Sequence, residues 1–167
     1  QKIVQNLYAN ALTLLKDNNS LLPLKNDDKI FYLPLEEAPS ETFLSELKKR
    51  GNIKVIKPSD LKKISKNSKL IIGLHKDNSN AYRPYVISKE SKSILASIKK
   101  NQNAIINVFG SPYALRDIDI SNISTVLVSY ENNDDSQKAT AESLFGNNKI
   151  WGKLPVTVND NWKAGDG

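Results

Sequence analysis

Short apolar runs alternate along this sequence with segments of helical periodicity, and this alternation restricts the folds that the chain can adopt. The runs at 70–74 and 104–109 contain almost no polar side chains, which is typical of strands buried on both faces. Between such runs, apolar residues recur three and four positions apart, as one face of a helix requires. Strands that alternate with helices form βαβ units, which place a parallel sheet between two helical layers. The sequence therefore predicts an α/β fold: a three-layer α/β/α sandwich with a mostly parallel sheet of about five or six strands.

Capping and turn residues predict where each element begins and ends. Ser40 and Ser88 precede helical patterns as N-caps, and Gly146 follows one as a stop. Pro155 within a short alternating run indicates an edge strand. The predicted strands are 12–16, 29–35, 53–56, 70–74, 104–109, 125–130 and the edge strand 152–158. The predicted helices are 3–11, 39–51, 59–66, 88–98, the single turn 114–117 and 135–145.

Composition excludes several classes of site. The chain has no cysteine, so disulfides, thiolate metal sites and a cysteine nucleophile are excluded. No apolar run approaches the about 20 residues that span a bilayer, so no membrane partner is expected. The expected set of cofactors and metals is also empty, because neither a dinucleotide fingerprint nor a true phosphate-binding loop is present.

The formal net charge of +6 is concentrated between residues 48 and 69. Asp60 is the only acid in this stretch. The stretch has no aromatic residue to stack on bases and a single arginine, so we interpret it as a solvated surface and expect no nucleic-acid partner. Its basic residues are Lys48, Lys49, Arg50, Lys54, Lys57, Lys62, Lys63, Lys66 and Lys69.

The segment 75–86, which follows the predicted central strand 70–74, carries the candidate substrate-binding residues. Open α/β sheets bind ligands at the carboxyl ends of their strands, and this segment lies at such an end. His75, the only histidine, and Asp77 invite interpretation as a dyad, although a loop histidine bonded to local backbone is the common alternative. Tyr82, Arg83 and Tyr85 suit sugar hydroxyls and rings, or packing against a neighbouring domain. We predict these five as substrate-binding residues and predict no catalytic residue.

Four segments together carry a resemblance to a known family. The segments 9–16 and 21–24 have the order helix, strand and Leu-Pro-Leu turn, and 108–113 ends in Gly-Ser-Pro-Tyr. The segment 126–130 with Gln137 follows, and 142–146 (Glu-Ser-Leu-Phe-Gly) precedes 152–158 (Gly-Lys-Leu-Pro-Val-Thr-Val). In this order they resemble the C-terminal domain of glycoside hydrolase family 3 over nearly its whole length.

The resemblance implies that the catalytic groups lie elsewhere. In this family the nucleophilic aspartate belongs to an N-terminal TIM barrel, which this chain does not contain. In the β-glucosidase branch a glutamate after the strand matching 70–74 donates the proton, but 75–86 contains no glutamate. In the β-N-acetylglucosaminidase branch a histidine and an aspartate on the barrel serve instead. The resemblance therefore implies a non-catalytic domain that braces the barrel, borders the substrate groove, and meets carbohydrate only through its parent enzyme.

The domain is expected to comprise residues 1–158, with 159–167 as a tail or linker. The chain begins within a helical pattern and without methionine, so we interpret it as a piece of a longer protein. Amino-sugar polymers such as cell-wall glycans are the expected substrates of that parent, and such substrates make its export an expectation. Two alternatives remain open: a stand-alone protein-interaction module, and a flavodoxin-like ligand-binding domain.

Overall fold

The structure, a computed structural model, describes residues 2–77 and 86–167. The helices are α1 (Lys2–Ala11), α2 (Glu41–Lys48), α3 (Lys89–Ala96) and α4 (Asp134–Leu144). The strands are β1 (Thr13–Asp17), β2 (Lys29–Leu35), β3 (Asn52–Val55), β4 (Lys69–His75), β5 (Ala104–Phe109) and β6 (Thr125–Val128). Two 3-10 helices span Pro58–Lys63 and Pro112–Arg116. None of the helices in these two ranges is long and apolar enough to cross a membrane.

The strands form one six-stranded sheet in the order β1-β6-β5-β4-β2-β3. The pairs from β3 through β6 are parallel, whereas β1 pairs antiparallel with β6. The predicted α/β sandwich with a mostly parallel sheet is therefore confirmed.

Both faces of the sheet are buried, which explains the nearly continuous apolar runs of β4 and β5. One face packs against α3 and the two 3-10 helices through residues such as Ile72, Ile106 and Leu95. The other face packs against α2 and α4 through residues such as Ile71, Phe43 and Leu144. Alternate residues of one strand thus enter different cores.

The predicted edge strand at 152–158 is wrong, because this segment forms no strand. Its backbone groups pair with scattered partners: the Leu154 amide donates to the Asp166 carbonyl at 2.8 Å, and the Val158 amide donates to the Trp162 carbonyl at 2.9 Å. Leu154 and Val158 are nevertheless buried, so their apolar alternation reflects packing without a ladder. The same bonds hold residues 159–167 against the domain.

The predicted helix at 59–66 is also corrected, to the shorter 3-10 helix Pro58–Lys63. The Lys57 amide donates to the Asp60 carboxylate at 3.0 Å and begins this helix. The extended backbone of Ile64 ends it. The predicted Ser88 cap is confirmed by a 3.1 Å bond from the Ser91 amide, but the Ser40 side chain makes no capping bond.

Gly152 offers a test of how the segment 152–158 packs against the α1–β1 junction. A methyl group there would lie 2.6 Å from Thr13 Oγ1 and closer still to the carbonyl oxygens of Ala11 and Leu12. Because those backbone atoms belong to the α1–β1 junction, Gly152→Ala should lower the free energy of unfolding by roughly 2–4 kcal/mol, measured by urea denaturation. The exposed variant Lys163→Ala serves as the control and should change it by less than about 0.5 kcal/mol. Equal stability of both variants would contradict this close packing.

Candidate functional site

The candidate site lies where the chain order across the sheet reverses. From β2 the chain moves outward to the edge strand β3, and from β4 it moves the other way to β5 and β6. The connections that leave β2 and β4 therefore diverge and open a crevice at the carboxyl ends of these strands, the usual ligand position in open α/β sheets. We call this crevice the switch-point cleft. It has a volume of about 330 Å³ and is lined by Ala38, Pro39, Lys76, Asp77, Glu131, Asn132 and Asn133.

Lys76 forms part of one wall of the cleft and belongs to an ion cluster with Glu36 and Glu37. Lys76 follows β4, and its ammonium group lies 3.4 Å from Glu36 Oε2 and 3.0 Å from Glu37 Oε1. The lysine side chain and that of Glu36 are both more than nine-tenths buried. A buried charge is costly unless it is paired and hydrogen-bonded, so this wall depends on the pairing.

Glu36 also ties the cleft to α3. Its Oε1 accepts from the Ser88 amide at 3.1 Å and from the Ser88 hydroxyl at 2.8 Å. Burial raises the pKa of Glu36, but hydrogen bonds from Ser91 and Ser88 and the charge of the nearby ammonium outweigh it, so the pKa lies below its ordinary value. A lowered pKa is the reverse of what a proton donor in glycoside hydrolysis needs.

Two residues that follow strands at this edge of the sheet adopt left-handed backbone conformations. Glu36 has φ +74° directly after β2, and Tyr130 has φ +69° two residues after β6. Such values are uncommon for residues other than glycine and cost free energy, so the surrounding contacts must hold them. At Glu36 those contacts are the bonds to Ser88 and Lys76.

His75 lies beneath the cleft as the last residue of β4 and is fully buried. Its Nδ1 is 2.6 Å from Asn132 Oδ1, and its Nε2 is 2.5 Å from the Tyr32 hydroxyl. The ring stacks on Phe109 with centroids 4.5 Å apart. Burial lowers the pKa of His75 to about 4, so the imidazole is neutral near pH 7.

The hydrogen bonds around His75 define its tautomer. An amide oxygen can only accept, so Nδ1 carries the hydrogen and donates to Asn132. Nε2 is then the acceptor, and the Tyr32 hydroxyl donates to it. Burial raises the pKa of Tyr32, which keeps that hydroxyl protonated. Both ring nitrogens are therefore used in holding β2, β4 and the loop after β6 together.

The structure corrects two expectations about His75. The histidine belongs to a strand and bonds side chains, not the local backbone of a loop. Asp77 is exposed, and its amide lies 3.4 Å from Glu37 Oε1. Since neither nitrogen of His75 is left for Asp77, the two form no dyad. Tyr82, Arg83 and Tyr85 lie outside the described residues, so substrate contact by all five residues stays a prediction.

Sequence reasoning named His75 and Asp77 but missed the other polar residues of the cleft and of the ion cluster beside it. Glu36, Glu37 and Lys76 directly follow apolar runs, which was a usable signal for charged groups at strand ends. To predict that Lys76 pairs with Glu36 and Glu37, one must know that β2 and β4 are neighbours in the sheet, and the sequence alone does not give the strand order. Asn132 gave no signal, because it lies in an asparagine-rich segment that looks like an ordinary surface turn.

The rim of the cleft is polar. Asp77, Glu131 and Asn133 are exposed around it. Glu131 and Asn133 are hydrogen-bonded to each other and to the Tyr8 hydroxyl. Within residues 2–77 and 86–167, no three His, Cys, Asp or Glu side chains converge as metal ligands would.

The fold and the cleft together define an open α/β sandwich with a ligand-type crevice at its switch point. Solved structures share this fold. A β-glucoside phosphorylase superposes with a TM-score of 0.73 at 20% identity, over 92% of this chain and 31% of that one. A fungal multi-domain family 3 β-N-acetylglucosaminidase gives 0.71 at 22% identity, over 96% of this chain and 19% of that one. A family 3 β-N-acetylglucosaminidase from Paenibacillus sp. strain FPU-7 gives 0.70 at 16% identity, over 95% and 32%.

The chain thus has a fold that occurs as one part of glycoside hydrolase family 3 enzymes. It spans about a fifth to a third of the length of these structures. No protein-family model matches the sequence, and a comparison with curated proteins finds no significant match.

The buried histidine predicts a particular pH dependence of stability. The pKa of His75 is about 4 in the folded chain, below the 6.5 of a free imidazole, so the unfolded chain takes up the proton first. The contribution of His75 is complete above pH 6.5 and is lost as the pH falls toward 4. Between about pH 7 and pH 4.5 the free energy of unfolding should fall by roughly 2–3 kcal/mol more in the wild type than in His75→Gln, as urea denaturation would show.

A direct measurement accompanies it. Because the chain has one histidine, its imidazole NMR signal is unambiguous and should titrate near pH 4. Titration near 6.5, or the same pH dependence in both proteins, would contradict the burial of His75.

Proposed function

We propose that this chain is the C-terminal domain of a family 3 glycoside hydrolase, and that residues 1–158 form the domain proper. The observation that carries this proposal is the shared fold, which extends over 92–96% of the chain in three separate structures. On this proposal an N-terminal TIM barrel of the same parent is the partner, and 159–167 is a tail or linker that packs back on the domain.

The domain itself is non-catalytic. Hydrolysis of a glycosidic bond needs two groups on either side of that bond, usually a carboxylate and a protonated carboxylic acid. At the switch-point cleft, Glu36 is ion-paired with a lowered pKa, and His75 is neutral with both nitrogens occupied. These groups support a structural role for the cleft wall and floor. The exposed polar rim of the cleft then borders the substrate groove of the parent.

The parent acts on amino-sugar polymers. Two of the similar structures are β-N-acetylglucosaminidases, which supports this substrate class, while another is a β-glucoside phosphorylase. The choice of a β-N-acetylglucosaminidase over a β-glucosidase as the parent rests on the segment 75–86, which lacks the glutamate that the β-glucosidase branch places there. Cell-wall glycans belong to this class, so we propose export of the parent.

Exposed apolar residues on α1 support docking of the barrel. Ile3 is 78% exposed and Leu7 is 64% exposed one helical turn further along α1. Trp151 is 61% exposed, and the amide of its neighbour Gly152 bonds the carbonyl of Leu12 just after α1. Exposed large apolar residues that lie together mark interaction surfaces, and tryptophan is frequent at the centres of interfaces.

A flavodoxin-like ligand-binding function remains the second candidate, because the switch-point cleft occupies the position where such folds bind small molecules. Its test is thermal stabilisation by a nucleotide, a flavin or a sugar phosphate. A clear rise in melting temperature with any of them would favour this candidate over a glycosidase domain.

Activity measurements test the proposed function. The isolated chain should not hydrolyse a chromogenic N-acetylglucosaminide, whereas the full parent should hydrolyse it, and the reading frame before Gln1 should encode a barrel. Asp77→Asn and Glu131→Gln variants of the isolated chain distinguish true turnover from a contaminating enzyme. Hydrolysis by the chain that either variant abolishes would overturn the non-catalytic assignment.

The interface proposal has its own test in the parent. The double variant Ile3→Asp/Leu7→Asp should lower the melting temperature of the parent by roughly 5 °C or more, since it places two charges in a buried contact. The control Asn6→Asp/Asn10→Asp makes the same change in charge at two exposed positions of α1 and should have little effect. Both variants should leave the isolated chain equally stable. Equal melting of the two parent variants would rule out docking through α1.

A further inference from the structure

A second concave surface lies at the opposite edge of the sheet, where β4 and β5 begin. Its walls are the 3-10 helix Pro58–Lys63 with residues 64–66 on one side, and residues 97–102 after α3 on the other. Its volume is about 560 Å³. We call it the lysine groove, and its lining residues include Lys62, Lys66 and Lys99.

The groove carries positive charge that no acid balances. Some basic side chains elsewhere form ion pairs, such as Arg50 with Glu46 at 2.8 Å and Lys69 with Asp28 at 2.8 Å. Lys62, Lys66 and Lys99 are exposed, and none forms an ion pair with an acid in the part of the chain that the structure describes. Three such ammonium groups around one concavity attract an anionic partner.

The walls of the groove are joined by hydrogen bonds and so exist before any ligand binds. Gln102 Nε2 donates to the Leu61 carbonyl at 3.2 Å, and its Oε1 accepts from the Lys99 amide at 2.6 Å. Asn103 Nδ2 donates to the Lys66 carbonyl at 3.0 Å, which links the two walls a second time. A preformed site loses less conformational entropy when it binds.

The lining identifies the kind of anion. The lining also contains hydroxyl and amide groups, at Ser65, Ser97 and Asn101, which are of the kind that bond sugar hydroxyls. The lining contains neither arginine for bidentate phosphate contacts nor an aromatic ring for base stacking, both of which nucleic-acid sites use. A concave groove accommodates a chain, whereas a membrane surface requires a flat or convex face.

We infer that the lysine groove binds a linear polyanionic glycan. This inference goes beyond the proposed function and does not depend on it, because the groove and the switch-point cleft lie at opposite ends of the strands. Successive charges on the polymer pair with successive lysines, and the sugar hydroxyls bond the polar groups of the lining.

Calorimetric titration of the 167-residue chain with dextran sulfate, and with neutral dextran of the same length, tests the inference. Dextran sulfate should bind, neutral dextran should not, and the affinity should fall steeply between about 25 mM and about 150 mM salt. The variant Lys62→Gln/Lys66→Gln/Lys99→Gln should weaken binding by roughly tenfold or more. Circular dichroism checks that the variant is folded.

A matched variant separates the groove from overall charge. Lys2→Gln/Lys48→Gln/Lys163→Gln removes the same three charges from exposed positions on α1, α2 and the tail, and should change the affinity by less than about twofold. Equal weakening in both variants would overturn the inference, because only net charge would then matter. Binding of poly(dT) or poly-L-glutamate as tightly as dextran sulfate would also overturn it, in favour of a nucleic acid or an acidic protein.

Discussion

Burial of both faces of β4 and β5 is the constraint on which the rest of the structure depends. A strand that is covered on both sides has no solvent-exposed face for polar side chains, so such groups must either bond within the core or move to the strand ends. Asn107 in β5 takes the first course, and its amide donates to Ser129 Oγ at 2.8 Å. Lys76 takes the second, at the exit of β4. The cleft is therefore polar because the charged side chains that the buried strands exclude lie at the ends of those strands.

The polar groups under the cleft form a connected network that fixes its floor. His75 joins Tyr32 of β2 to Asn132, and Gln137 of α4 donates to Asn132 Oδ1 at 3.0 Å. Gln137 also accepts from the Phe43 amide of α2 at 2.8 Å. Two strands and two helices thus meet through the side chains of Tyr32, His75, Asn132 and Gln137. In a low-dielectric interior such hydrogen bonds are strong when every donor and acceptor is satisfied. Protonation of His75 would place a hydrogen on Nε2, and the Tyr32 hydroxyl could then no longer donate to this nitrogen.

The sequence predicted the sheet well because burial on both faces leaves an unmistakable apolar pattern, but it could not predict contacts between distant strands. Segment 152–158 was misread because Leu154 and Val158 pack into the core without a strand. The direction of β1 was not predictable, since no βαβ crossover connects it to β2.

His75 was expected in the loop after the predicted strand 70–74, but it is the last residue of β4. Its surroundings depend on which face of this strand it occupies. Ile71, Gly73 and His75 share one face of this strand, and a methyl group at Gly73 would lie 2.9 Å from the Tyr32 hydroxyl. A glycine inside an apolar strand signals such a close approach. The sequence contained that signal, but only the position of Tyr32 on the neighbouring strand gives it meaning.

The two concave surfaces are electrostatically independent. The seven residues of β4 separate them by roughly 20 Å at about 3.3 Å per residue, whereas charges are screened beyond about 8 Å in physiological salt. At the carboxyl edge Lys76 is paired with two glutamates, while at the amino edge Lys62, Lys66 and Lys99 form no ion pair within the described residues. The domain therefore has a paired polar edge at one end of its strands and a basic groove at the other.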